Sequence, residues 1–108
     1  MPAGVLLGLA IAVEVCATLA LRASDGLTRP ALVVVVVAGY ATSFWLLSLV
    51  LKEISVGTSY AIWSGAGTAA LAVIGMLALG EPATALRIGS IALIVIGVIG
   101  LNFAGGAH

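Results

Sequence analysis

PAGVLLGLAIAVEVCATLAL, residues 2–21, is an apolar run with a single charged side chain, Glu14. Its length matches the roughly 20 residues that a helix needs to cross a hydrocarbon core. A charge at that depth is costly, so an ionisable side chain inside such a run marks a functional site by default.

The rest of the chain repeats the pattern. Arg22, Asp25 and Arg29 form one cluster of charges, Lys52 and Glu53 a second, and Glu81 and Arg87 a third, and these separate four apolar runs. With 63% hydrophobic and 7% charged residues, the 108-residue chain has too few charges to cover a soluble domain. We expect an all-α membrane protein, a single four-helix transmembrane domain over 1–108, with spans at about 3–21, 31–51, 58–79 and 86–104. Ser24-Asp25-Gly26 and Thr28-Arg29-Pro30 read as a turn followed by a helix start, Ile54-Ser55-Val56-Gly57 as a short connector, and Gly80-Glu81-Pro82 as a tight break. Loops this short make neighbouring helices antiparallel.

Met1-Pro2-Ala3-Gly4 lacks the positive start of a signal peptide, and Glu14 would interrupt its apolar centre, so the first run is expected to remain as a helix. Cys16 is the sole cysteine; no intrachain disulfide can form, and its place in mid-span suits a packing thiol. His108 reads as a solvated terminal residue.

Four spans put both termini on one side. Arg22, Arg29 and Arg87 lie in the first and third loops against Lys52 in the second, a bias that places loops one and three in the cytoplasm but only weakly. Two readings stay open: one orientation, or insertion both ways, with opposed copies forming the inverted pair that larger transporters encode in one chain. Four short helices hardly enclose a pathway, so a carboxylate serving one is expected at a subunit interface. On the fourth span Gly89, Gly97, Gly100 and Ala104 fall near one stripe, which suits either a dimer interface or packing within one subunit.

Three and four residues from Glu14 lie Ala10, Ile11, Ala17 and Thr18, with Leu7 and Leu21 a turn further on. This small apolar face disfavours a charged carboxylate and leaves room beside it for a ligand. The alternative is a protonated Glu14 that merely hydrogen-bonds a neighbouring helix. Tyr60 and Trp63 share a face of the third run with Ser64 and Gly67, and Tyr40, Ser43 and Phe44 form a patch on the second. Aromatic faces beside a carboxylate suit a lipophilic cation, which gains charge pairing and cation–π attraction; taken singly, each aromatic also reads as ordinary packing.

These residues carry a resemblance to the small multidrug resistance family of bacterial exporters. It runs nearly end to end, through Ala10-Ile11-Ala12-Val13-Glu14-Val15, Ser24-Asp25-Gly26-Leu27-Thr28-Arg29, Ser43-Phe44-Trp45-Leu46-Leu47 and Gly57-Thr58-Ser59-Tyr60-Ala61-Ile62-Trp63-Ser64-Gly65, with Gly80-Glu81-Pro82 as a weaker match. The resemblance implies a protein of the bacterial inner membrane, an antiparallel homodimer whose two copies of Glu14 form one site open alternately to either side. Protons and cationic substrate then exclude one another there, which couples proton entry to export without a cofactor. The implied pocket is Leu7, Ala10, Ile11, Glu14, Ala17, Thr18, Tyr40, Ser43, Tyr60 and Trp63. Ala17 departs from the family's Gly, and its extra methyl bears on substrate range.

Two carboxylates in low dielectric are expected to titrate as a coupled pair, and Gly65 and Gly67 offer a kink for alternation. A second branch of the family exports guanidinium-type metabolites; it usually has Gly at the place of Ala10 and a Trp shortly after the acid. Here Ala10, Tyr40 and Asn102 look more like the multidrug branch, whose substrates are hydrophobic quaternary cations. Some members work only as pairs of different subunits.

Readings from other classes are weaker. The proton-binding ring subunit of rotary ATP synthases is also small, Gly-rich and apolar with one buried Glu, but it has two spans. A non-transporting accessory subunit leaves the aromatic cluster unexplained. The chain has no nucleotide loop, metal-ligand cluster or nucleophile constellation, so neither an enzyme nor a nucleic-acid binder is expected.

Overall fold

The computed structural model describes residues 2–104, which form four α-helices and no strand: α1 Ala3–Ala23, α2 Pro30–Val50, α3 Val56–Ala78 and α4 Ala85–Phe103. His108 lies outside the described residues. The helices hold 21, 21, 23 and 19 residues, so at 1.5 Å per residue they measure about 29–35 Å, enough to cross a hydrocarbon core of about 30 Å.

The helix ends depart from the apolar runs for local reasons. Pro30 opens α2 at a first-turn position, where its missing N–H has no intrahelical partner to lose. Val56 and Gly57, expected in the connector, belong to the first turn of α3, and the Ser59 N–H donates to the Ser55 carbonyl at 2.9 Å. Thr84 caps α4, its Oγ1 accepting the Arg87 N–H at 3.1 Å.

Four polar side chains on the exposed faces satisfy themselves. Thr42 donates to the Ala38 carbonyl at 2.7 Å, Ser48 to Trp45 at 2.5 Å, Ser64 to Tyr60 at 2.8 Å and Ser90 to Leu86 at 2.7 Å. Hydrocarbon offers no partner, so a hydroxyl there must use its own helix backbone.

The chain divides into two compact units, Met1–Glu53 and Ile54–His108. In the first, α1 and α2 meet along an antiparallel seam of small residues. Ser43, fully buried, donates to the Ala10 carbonyl at 2.6 Å, and Ala10 is itself 0% exposed. A turn further along, Gly39 faces Ala17. Leu7, Val15, Val36, Leu46, Leu47 and Val50 are buried as well.

The α1–α2 loop is organised by Ser24, which is also fully buried. Its Oγ donates to the Leu21 carbonyl at 2.6 Å and accepts the Leu27 N–H at 3.0 Å, while its carbonyl oxygen accepts the N–H groups of Thr28 and Arg29. Three consecutive residues, Asp25, Gly26 and Leu27, have φ of 52°, 71° and 65°. That left-handed turn costs an L-residue about 1–2 kcal/mol at each non-Gly position. Leu27→Gly is therefore expected to raise stability by about 1 kcal/mol, read as a higher midpoint in an SDS unfolding titration. A lowered midpoint would mean that the leucine side chain contributes more than its strain.

In the second unit, α3 and α4 approach at Gly65, where a Cβ would lie 2.8 Å from Val98 Cγ2 and 3.6 Å from Ile94 Cγ2. The α3–α4 loop folds back on Gly75. The Glu81 N–H donates to the Gly75 carbonyl at 3.0 Å, the Glu81 carboxylate occupies the space a Gly75 side chain would need, and Arg87 pairs with that carboxylate. Gly80, at φ 72°, supplies the reversal.

Helix α4 has no buried residue. Nothing lies within 4 Å of where a Cβ would stand on Gly89, Gly97 or Gly100, so the close approach these glycines permit is not used within the described residues.

Candidate functional site

Glu14 lies midway along α1, half-buried, on a helix with no other charge until Arg22. Thr18, one turn on, donates its hydroxyl to Glu14 Oε1 at 3.1 Å. The same Thr18 oxygen lies 2.6 Å from the Tyr40 hydroxyl on α2. Thr18 has one hydroxyl proton, committed to Glu14, so Tyr40 is the donor of the second bond. With Glu14 ionised the donors run in one direction, Tyr40 to Thr18 to Oε1, and each bond polarises the next.

The other carboxylate oxygen is different. Oε2 of Glu14 is buried and has no hydrogen-bond partner among the described residues. A buried acceptor left unpaired costs about 1–3 kcal/mol, and more when charged. The carboxyl group is thus anchored by one oxygen and unpaired at the other.

Of the other α1 and α2 residues expected at the site, Leu7, Ala10, Ala17 and Ser43 are buried, and Ile11, Thr18 and Tyr40 are half-buried. Phe44 is exposed at 54%, and Cys16 is exposed too.

In the second unit, Tyr60 and Trp63 pack edge to face, ring centroids 5.5 Å apart at 77°, an arrangement that brings a positive ring edge onto a negative ring face. Trp63 is buried and Tyr60 is 51% exposed. One turn before Trp63, Ser59 is fully buried and its Oγ has no partner among the described residues. Helix α3 is unbroken through Gly65 and Gly67.

Two participants escaped the reading of the sequence. Gly39 is a single small residue next to Tyr40 in a β-branched run, and only the helix crossing shows what it faces. Ser24 sits in a turn whose backbone conformation carries no periodic signal; a serine directly before Asp-Gly is the sole hint.

A family model described as Small Multidrug Resistance protein matches residues 3–94. The chain belongs to the small multidrug resistance family. It is similar to the quaternary ammonium compound-resistance protein QacE of Escherichia coli, 46% identical over 94 residues that cover 87% of this chain and 86% of that protein. The multidrug resistance protein mmr of Mycobacterium leprae strain TN is 42% identical over 96 residues, 88% of this chain and 90% of that one. The guanidinium exporter of Escherichia coli K12 is 37% identical over 100 residues, 93% and 95% of the two chains. With four spanning helices and bacterial relatives in this family, the small multidrug resistance protein described here is a multi-pass protein of the bacterial inner membrane.

Proposed function

We infer that the chain is a proton-coupled exporter of lipophilic and quaternary ammonium cations. The observation that carries this reading is the half-satisfied carboxyl group of Glu14, with Oε1 held by Thr18 and Oε2 buried and unpaired. Such a group takes a proton or a cation but not both at once, and mutual exclusion together with alternating access couples the two fluxes. Protons are the driving ligand and no cofactor takes part. The similarity to QacE and to the mycobacterial resistance protein supports the choice of substrate class.

The transporter works as an antiparallel pair of identical chains inserted in opposite senses, each a single four-helix domain. The two copies of Glu14 make one coupled site. The pocket is built from Leu7, Ala10, Ile11, Glu14, Ala17, Thr18, Tyr40 and Ser43 on α1 and α2 and from Tyr60 and Trp63 on α3. The aromatic rings supply cation–π attraction. The open glycine face of α4, Gly89, Gly97 and Gly100, packs against the partner. Alternation between the two sides proceeds by rocking of the chains about the fixed site, with α3 bending at Gly65 and Gly67.

A second reading is favoured by the 37% identity to a guanidinium exporter, which would make the substrate a small planar cation. Reconstitution of this chain alone in liposomes, with currents recorded under a pH gradient, separates the two. A current carried by a tetraalkyl or aryl ammonium, reversing with the gradient, is the expected result. A current with guanidinium alone transfers the chain to the second reading, and silence with both means that a different chain is needed as partner.

A further inference from the structure

The α1–α2 seam is closely packed where Gly39 meets Ala17. Ala17 is 1% exposed, and a Cβ on Gly39 would lie 2.7 Å from the Ala17 Cβ, with the Ala17 Cα at 3.5 Å and the Val13 carbonyl oxygen at 3.9 Å. Carbon atoms in contact sit about 3.5–4.0 Å apart, so a methyl on Gly39 forces the helices apart by about 1 Å. The Ala17 methyl cannot swing aside, because it is fixed to its backbone.

The next residue on each helix, Thr18 and Tyr40, supplies the hydroxyls that meet at 2.6 Å. Hydroxyl hydrogen bonds occupy about 2.5–3.0 Å. Parting the helices by about 1 Å carries that pair out of range. The seam is also cross-linked by the Ser43 hydroxyl on the Ala10 carbonyl.

We propose that the Ala17–Gly39 contact is a positioning element that sets the helix separation at which Tyr40 supports Thr18 and Thr18 holds Glu14. The geometry requires one methyl shared between the two positions. Ala17 contributes to the pocket through this spacing and not by touching the cation. The consequence for binding rests on the exporter reading, whereas the geometry does not.

The test uses the full-length purified protein, tetraphenylphosphonium as the probe cation at neutral pH, and the ring-carbon NMR signal of Tyr40 next to its hydroxyl. Gly39→Ala is expected to weaken binding roughly three- to tenfold, the worth of one supporting hydrogen bond, and to move the Tyr40 signal. The exchanged pair, Ala17→Gly with Gly39→Ala, restores both. In a Tyr40→Phe background Gly39→Ala adds no further loss, because the bond it breaks is already absent.

A Tyr40 signal unmoved by Gly39→Ala overturns the proposal. So does a binding loss that persists in the exchanged pair, or one of equal size with and without the Tyr40 hydroxyl. Should Gly39→Ala not fold, Ala17→Gly removes the spacer without adding bulk and must also move the Tyr40 signal; if it does not, the proposal falls. The NMR readout operates even in a protein that binds no probe, so failure of the exporter reading is told apart from failure of this inference.

Discussion

Glu14→Gln is expected to abolish proton-driven cation transport while leaving the helices folded. Glutamine keeps the shape of the side chain, and its carbonyl oxygen accepts the Thr18 hydroxyl as Oε1 does. What disappears is the charge. The amide nitrogen takes the place of the buried Oε2 and offers neither a proton-accepting oxygen nor a counter-charge. Removing one partner of a buried charge pair costs about 3–5 kcal/mol, which corresponds to roughly a hundredfold to a few thousandfold in affinity. Calorimetric titration with tetraphenylphosphonium checks the binding, and liposome currents check the transport, with circular dichroism as the control for folding. A Gln variant that retains proton-driven current within tenfold of the parent would sink the proposed mechanism.

Ser43→Leu is expected to be strongly destabilising in the α1–α2 unit, and its comparison with Ser43→Ala separates volume from hydrogen bonding. Ser43 is fully buried, and its Oγ is 2.6 Å from the Ala10 carbonyl oxygen, so the two backbones come as close as a serine allows. Alanine leaves that separation intact. Losing a hydroxyl bond between membrane helices costs about 0.6 kcal/mol on average, because the unfolded helix also finds partners. Leucine adds three carbons where none fit; overpacking costs about 1–3 kcal/mol and sometimes more, and the helices must part. An SDS titration is expected to place Ser43→Ala near the parent and Ser43→Leu at least about 2 kcal/mol below it. Equal midpoints for the two variants would contradict the close seam.

The four helices were legible because the charges do the punctuation. Arg22, Asp25 and Arg29, then Lys52 and Glu53, then Glu81 and Arg87 mark the ends of runs that only a helix can carry through lipid. Helix ends were less legible. Gly57 reads as a breaker, but in a first turn, where backbone N–H groups lack partners anyway, glycine interrupts nothing. Glu14 stood out for the cost of its charge, and the i+4 spacing placed Thr18 beside it. That Tyr40 completes the line of donors depends on where α2 crosses α1, which no periodicity within one helix encodes. Gly65 illustrates the same limit: its close approach to Val98 of α4 depends on where the two helices cross, which the spacing within α3 does not encode. The Glu81–Arg87 pair over Gly75 requires the loop path and was not expected from the spacing.

The hydroxyls of Thr42, Ser48, Ser64 and Ser90 all spend their protons on their own helix. These four side chains thus make no demand on headgroup, water or lipid tail. A hydroxyl already spoken for carries no label for up or down. Sidedness is left to a handful of cations near the loops, and one lysine gained or arginine lost there weighs more in the address of this protein than any number of serines in its spans.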